Sequence, residues 1–438
     1  MKVLKFGGTS VGSAQRMKEV AQLICDGESK IVVLSAMSGT TNSLVEISDY
    51  LYKKNQEGAT ELVSKLLAKY LGVIDELYST ETYKRNAKDA INLHFKHIRS
   101  FVKDIFTSFE EKEILAQGEL LSTHLMHNYL LENGVKSVLI PALDYMRIDK
   151  NAEPDTTFIK ENLHAFLKKD EGTDLYLTQG YICRNVNGEV DNLERGGSDY
   201  TASLVGAAVL AEEIQIWTDI DGMHNNDPRV VDYTTPVRQL HFDEAAELAY
   251  FGAKILHPTC ILPAKLNNIP VRLLNTMQPY APGTTISNET EQKKIKAVAA
   301  KENITAIKIK SGRMLLATGF LRKVFEIFEK YKTPVDMVTT SEVGVSVTID
   351  NNRHLENIVA ELKKYGAVTV DRDMMIVCVV GDLKWENVGF ASQIIDAVRD
   401  IPVRMISFGG SNFNVSLLIN ASDKKRALQA LSDRLFNQ

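Results

Sequence analysis

Cysteine is scarce in this chain of 438 residues: Cys25, Cys183, Cys260 and Cys378 stand far apart, with no CxxC pair. That excludes a disulfide framework and a thiolate zinc site, and it suits a reducing compartment. Positive charge is not in surplus either. Lys and Arg total 51 against 56 for Asp and Glu, a formal net charge of −5, so no general field draws nucleic acid or an anionic membrane. The longest uncharged stretch, near TASLVGAAVLA (201–211), falls well short of the ~20 residues needed to span a bilayer. The opening MKVLKFGGTS lacks the apolar region of a signal peptide, so a cytoplasmic location is expected. No Gly-Lys dipeptide occurs, which removes a Walker A loop. No GxGxxG occurs, which disfavours a dinucleotide fingerprint and a protein-kinase glycine loop.

Hydrophobic residues make up 44% and charged residues 24%, enough to fill a sizeable core and too apolar for disorder. At ~150 residues per domain the length suggests about three domains. The first 275 residues alternate strand-like and helix-like segments. VLKF (3–6), IVVLSA (31–36), SVLIPA (137–142), DLYLTQGYI (174–182), IQIWTD (214–219) and VRLLN (271–275) are short, apolar or β-branched runs, as buried parallel strands are. Helical patterns at 13–27 and 198–214 lie between them. An α/β fold with an open, mostly parallel sheet and helices on both faces is expected. A polar stretch at 57–112 carries Ile91, Phe95, Ile98 and Phe101–Val102 at helical spacing and reads as helices on one side of the sheet. The His94/His97 and His124/His127 pairs within and after it read as ordinary helix residues, so no metal site is assigned.

Residues 276–300, rich in Pro, Gly, Ser, Thr and Asn before a charge run, read as a linker. Beyond it, 301–372 spells β-α-β-β-α, and 373–438 repeats the order. The expectation is two ferredoxin-like units that pair through sheet edges into a dimer.

Several turns could carry chemistry. VLKF runs into GGTSVGS (7–13) and a helix, so backbone N–H groups of Gly7, Gly8 and Ser10 could meet a phosphate, with Lys5 beside it; a plain tight turn is the alternative. LSAMSGTTN (34–42), ERGGSDYTA (194–202) and WTDIDG (217–222) also follow strands, where ligands of open α/β sheets sit. Lys5, Arg229 and Lys254 could face a polyphosphate, Arg195 a carboxylate and Glu119 an ammonium. Asp199 and Asp219 could hold these cations, bind Mg²⁺ through water, or serve as a helix cap and a surface turn.

Taken together, KFGGTSVGS, LSAMSGTTN, AQGELLST (116–123), LERGGSDYTA, WTDIDGMHNNDPRVV and ELAYFGAKILHP (247–258) resemble, in order, the motif series of the aspartokinases of the amino-acid kinase family. The resemblance implies a catalytic domain over 1–275 followed by two ferredoxin-like βαββαβ ACT domains, with KIKAVAA (294–300) as a first strand of the second. It implies transfer of the γ-phosphate of ATP to the side-chain carboxylate of L-aspartate, giving 4-phospho-L-aspartate, the first step toward lysine, threonine and methionine. By motif, Lys5 is implied to hold the phosphates and Asp199 to orient it. Thr41, Glu119, Arg195 and Ser198 are implied to grip aspartate, and Thr218, Asp219, Arg229 and Lys254 to contact ATP. His224 stands where the family often has Tyr. An aspartate carboxylate, pKa ~3.9, is ionised at neutral pH and needs no general base, so the demand is for positioning and for cations, usually with Mg²⁺.

The tail resembles lysine-sensitive members of the family. Met314, Gly319, Phe320, Val335, Asp336, Thr340 and Ser341 match their effector pattern, which implies feedback by lysine rather than threonine. A homodimer through the ACT domains, or a tetramer, is implied. A single activity is expected, because no homoserine dehydrogenase region follows. The competing readings are a kinase of another acidic amino acid and a sensor whose kinase half is inactive.

Overall fold

The computed structural model describes residues 1–103, 105–169, 172–194, 196–253, 257–311 and 318–436. By packing, the chain forms two units, Met1–Gly222 with Leu256–Asn288 and Met223–Ile255 with Glu289–Gln438.

In the first unit the strands run in the order Thr284–Ser287, Val271–Asn275, Ile214–Thr218, Lys2–Phe6, Lys30–Leu34, Leu175–Gln179 and Val138–Ile140. Neighbours are parallel except Thr284–Ser287, which is antiparallel to Val271–Asn275. KIVVL and LYLTQ are buried along their whole length, because helices cover both faces. On one face Ala14–Ile24, Thr40–Tyr52, Gln56–Leu77, Glu81–Ser100 and Ser108–Glu132 pack with Leu4, Phe6, Val32 and Leu34 into one apolar core. The helical spacing read at 91–102 is the buried stripe of Glu81–Ser100. Helix Gly197–Val209, buried on most sides, covers the other face.

Strand periodicity then decides what each face receives. Side chains alternate along Lys2–Phe6, so Leu4 and Phe6 enter the helical core while Val3 and Lys5 point toward Gly197–Val209. A lysine is thereby planted under a helix N-terminus.

The second unit holds a six-stranded antiparallel sheet in the order Val338–Ser341, Gly344–Ile349, Ile295–Lys310, Ala367–Gly381, Asn414–Asn420, Val403–Phe408. Its two middle strands are long and serve both repeats. Ala306–Lys310 pairs with 367–371, whereas Ile295–Lys301 pairs with 376–381 of the second repeat. Each repeat has its own core. One gathers Ile307, Ile309, Phe320, Val324, Val345 and Val347; the other gathers Val298, Val377, Phe390, Ile394, Leu417 and Leu428.

The stretch read as a linker, 276–300, carries strand Thr284–Ser287, and from Ile295 it is the strand that the resemblance gave to the second unit. Residues 223–255, read within 1–275, pack with the second unit: Val231 joins the Val377 core, and the Asn226 amide donates to the Leu428 carbonyl at 3.0 Å. No helix among the described residues is long and apolar enough to cross a membrane.

Candidate active site

The C-terminal ends of Lys2–Phe6, Lys30–Leu34 and Leu175–Gln179 open onto a cavity of about 360 Å³. Gly8, Ser35–Gly39, Thr41, Asn42, Glu119, Tyr181, Glu194, Gly197 and Ser198 line it. Two larger hollows in this unit, of about 640 and 990 Å³, lack Glu119, which lines the smaller one. Chemistry rather than volume singles out the smaller one.

Lys5, opposite Val33 and Ile216 in register, ends in an ammonium 2.6 Å from a carboxylate oxygen of Asp199. Asp199 sits in the first turn of Gly197–Val209, whose cap Gly196 has φ +80° and offers no side chain. The positive end of the helix dipole lies at the same turn as the Lys5–Asp199 pair, which favours an anion there. The Gly7 N–H is engaged by the Trp217 carbonyl at 3.3 Å, and the Gly8 carbonyl accepts from Ser38 N–H at 3.1 Å, pinning the turn. A Cβ on Gly8 would lie 2.9 Å from the Ala36 carbonyl oxygen, so glycine is required for this close approach.

Glu119 projects from Ser108–Glu132 and is buried, with the Ala36 N–H donating to its carboxylate at 3.2 Å. Burial pushes its pKa up to about 7, against the pull of the Ala36 N–H and the Lys5 charge. A carboxyl so placed is poised to ionise when a cation arrives. Thr41, second in its helix, and Ser198 complete the polar wall.

Other expected site residues are not among those that line this cavity. Ser10 is fully buried; its N–H donates to the Gly7 carbonyl at 3.0 Å and its hydroxyl is 2.7 Å from that of Thr276, so both are engaged within the protein. Thr218 ends strand Ile214–Thr218, its hydroxyl accepting from Ile220 N–H at 3.2 Å, and Asp219 is exposed beside it. Arg229 belongs to the second unit and forms a two-point pair with Asp227 at 2.8 and 2.9 Å. Arg195, Lys254 and Met314 lie outside the described residues. His94 bonds Gln117 at 2.7 Å, His97 approaches Glu113 at 3.4 Å and His127 approaches the Ser137 hydroxyl at 3.1 Å. Among the described residues no group of three or more His, Cys, Asp or Glu side chains could hold a metal ion.

The fold also brings in residues the motifs did not single out. Tyr181 and Glu194 line the cavity with left-handed backbones, φ +66° and +50°. Gly180 lets the Gly197–Val209 helix approach, since a Cβ there would fall 2.4 Å from Ser198 Cβ. The TQG that ends Leu175–Gln179 was a fifth strand-to-glycine turn and could have signalled it.

The amino acid kinase family model matches residues 1–275 and an ACT domain model matches 377–435. Aspartokinase 1, chloroplastic, of Arabidopsis thaliana is 34% identical over 99% of this chain and 80% of its own length. The chain belongs to the aspartokinases of the amino acid kinase family. Another family member, lysine-sensitive aspartokinase 3 of Escherichia coli, is 31% identical over 99% of both chains. A crystal structure of E. coli aspartokinase III with aspartate and ADP, in the R-state, superposes with TM-score 0.86 at 30% identity over the full length of both chains. Its T-state complex with lysine and aspartate gives 0.80 at 32% identity, over 100% of this chain and 99% of that one.

The residues expected to meet an effector, Met314 apart, fall in the first repeat. Gly319 caps helix Phe320–Lys330, whose Phe320 is buried; Val335 and Asp336 precede strand Val338–Ser341, which contains Thr340 and Ser341.

Proposed function

We propose that this chain transfers the γ-phosphoryl group of ATP to the side-chain carboxylate of L-aspartate, giving 4-phospho-L-aspartate and ADP. The observation that carries the reading is a cavity walled by Gly8, Ser198 and the buried Glu119, with the Lys5–Asp199 pair beside it: Asp199 follows Ser198, and the Lys5 charge acts on Glu119. A carboxylate oxygen of aspartate forms the new bond to γ-phosphorus, the bond from γ-phosphorus to the β–γ bridging oxygen breaks, and the electron pair leaves with ADP. Two anions must be brought in line, so cations and N–H donors set the rate.

In this reading Lys5 neutralises the phosphoryl oxygens, held in place by Asp199, while Gly7 and Gly8 allow the close approach of phosphate. Glu119 receives the substrate ammonium, Arg195 a substrate carboxylate, and Thr41 and Ser198 hydrogen-bond it. Thr218, Asp219, Arg229 and Lys254 serve the nucleotide. A Cβ on Gly7 would lie 3.5 Å from Lys5 Nζ, so glycine there leaves the ammonium uncovered for a phosphate. Mg²⁺ would come with the ATP phosphates and supply charge neutralisation.

Lysine is the proposed feedback effector, at Met314, Gly319, Phe320, Val335, Asp336, Thr340 and Ser341, with a homodimer through the ACT units and a cytoplasmic location. Following ADP release with ATP and aspartate tests the reading. Turnover that requires Mg²⁺, stops with EDTA and falls with lysine supports it; no aspartate-dependent ADP release overturns it.

A further inference from the structure

Asp336 is the one charged residue of the effector pattern, and its side chain is 1% exposed. It is already occupied from within. The Lys301 ammonium lies 2.6 Å from Asp336 Oδ1, and the Tyr250 hydroxyl donates to the same oxygen at 2.8 Å. Lys301 also reaches Asp350 Oδ2 at 2.9 Å and stands 4.4 Å above the Tyr250 ring. Asp336 Oδ2, by contrast, is buried without a hydrogen-bond partner among the described residues.

A buried carboxylate with one oxygen unmet has room for a further donor. A second ammonium arriving at Asp336 would crowd the first. Lys301 has somewhere to go, since Asp350 would keep it paired. Its retreat would move the strand at Ala300–Lys301, and that strand touches the turn after Tyr250: a Cβ on Gly252, at φ +112°, would lie 2.3 Å from the Ala300 carbonyl oxygen. Tyr250 ends helix Phe242–Tyr250, four residues before Lys254 in sequence.

We propose that Asp336 and Asp350 form an ammonium site for which Lys301 is the tethered occupant, that the side-chain ammonium of the effector displaces Lys301 from Asp336, and that Tyr250 passes the exchange to the 251–253 turn. The inference rests on the effector reading and adds the residues that set its selectivity and its coupling. Lys301 excludes ligands that bring no second ammonium. Tyr250 makes effector binding differ between states, because only one state holds its bond to Asp336.

Calorimetric titration of L-lysine, L-threonine and L-norleucine into the full chain, with kinase assays alongside, tests this on wild type, Lys301→Met, Lys301→Arg and Tyr250→Phe. Removing a competing occupant raises the fraction of open site, so Lys301→Met is expected to bind lysine about tenfold more tightly. Norleucine gains nothing, and Lys301→Arg returns the wild-type affinity. In Tyr250→Phe the ratio of uninhibited to lysine-saturated rate, each taken on that variant, falls at least about fivefold toward 1. Lysine affinity unchanged or weakened in Lys301→Met, or an equal gain for norleucine, overturns the displacement; wild-type inhibition in Tyr250→Phe overturns the coupling. Wild-type protein that binds threonine alone, or neither amino acid, overturns the lysine reading and this site with it. Wild type that binds lysine while every variant matches it overturns only the present inference.

Discussion

The Lys5 ammonium and the Asp199 carboxylate meet at 2.6 Å, one from the central strand and the other from the first turn of the helix laid across it. Both side chains are mostly withdrawn from water, at 11% and 17% exposure, so the pair is less screened than a surface ion pair. The lysine cannot swing freely, and its charge is aimed where the glycine turn opens.

Lys5→Met is expected to lower kcat by at least about 10²–10³-fold, the scale for removing one preorganised charge donor, with thermal unfolding still cooperative. Asp199→Asn keeps the shape but removes the anchor, and should lower kcat with a smaller change in the KM for ATP. Steady-state kinetics on both variants checks this. Near-normal turnover in Lys5→Met would remove its role.

Glu119 should make aspartate binding depend on pH. Burial holds the free carboxyl near a pKa of about 7, and a substrate ammonium beside it favours the ionised form. Affinity should therefore rise roughly tenfold from pH 6 to pH 8 and level off above, with proton release on binding. Glu119→Gln should bind weakly and show a flatter profile. The unliganded protein carries the opposite trend. A group whose folded pKa is raised from 4.5 gives stability that is full below 4.5 and is lost as pH rises through about 7. Denaturant titrations of wild type and Glu119→Gln over that window should show the slope only in the former.

Gly180→Ala puts a methyl where Ser198 stands, 2.4 Å away, and neither the helix start nor the strand end can yield without shifting the cavity wall. A destabilisation of about 1–3 kcal/mol is expected, with a raised KM for aspartate. Urea unfolding and kinetics on the same preparation check both; wild-type values for both would show that the contact is not limiting.

The parallel sheet was legible because strands buried on both faces must be continuous apolar runs, as in KIVVL. Lys5, Glu119 and Asp199 were legible because each stands in a turn or helix motif whose chemistry complements the others. Other features left little local trace. The exchange of strand halves between repeats depends on pairing Val298 with Val379, far apart in sequence; no short pattern records it, and it was the family resemblance that gave KIKAVAA (294–300) to the second unit. Residues 223–255 read as part of the catalytic stretch, yet Val231 is drawn into the Val377 core by long-range apolar packing. Ser10 belongs to the glycine-turn motif, but its side chain was free to turn inward to Thr276. Tyr181 and Glu194 reach the cavity through left-handed backbones, which tyrosine and glutamate do not advertise.

The most direct measurement is acyl-phosphate trapping. The purified chain is incubated with ATP, Mg²⁺ and hydroxylamine, and with aspartate, glutamate or N-acetylglutamate in turn. The coloured hydroxamate reports which carboxylate was phosphorylated. Hydroxamate from aspartate alone, lost in Lys5→Met, is the expected result. Product from glutamate or N-acetylglutamate in place of aspartate, or no product while nucleotide still binds, would contradict the assignment of this cavity to aspartate phosphorylation.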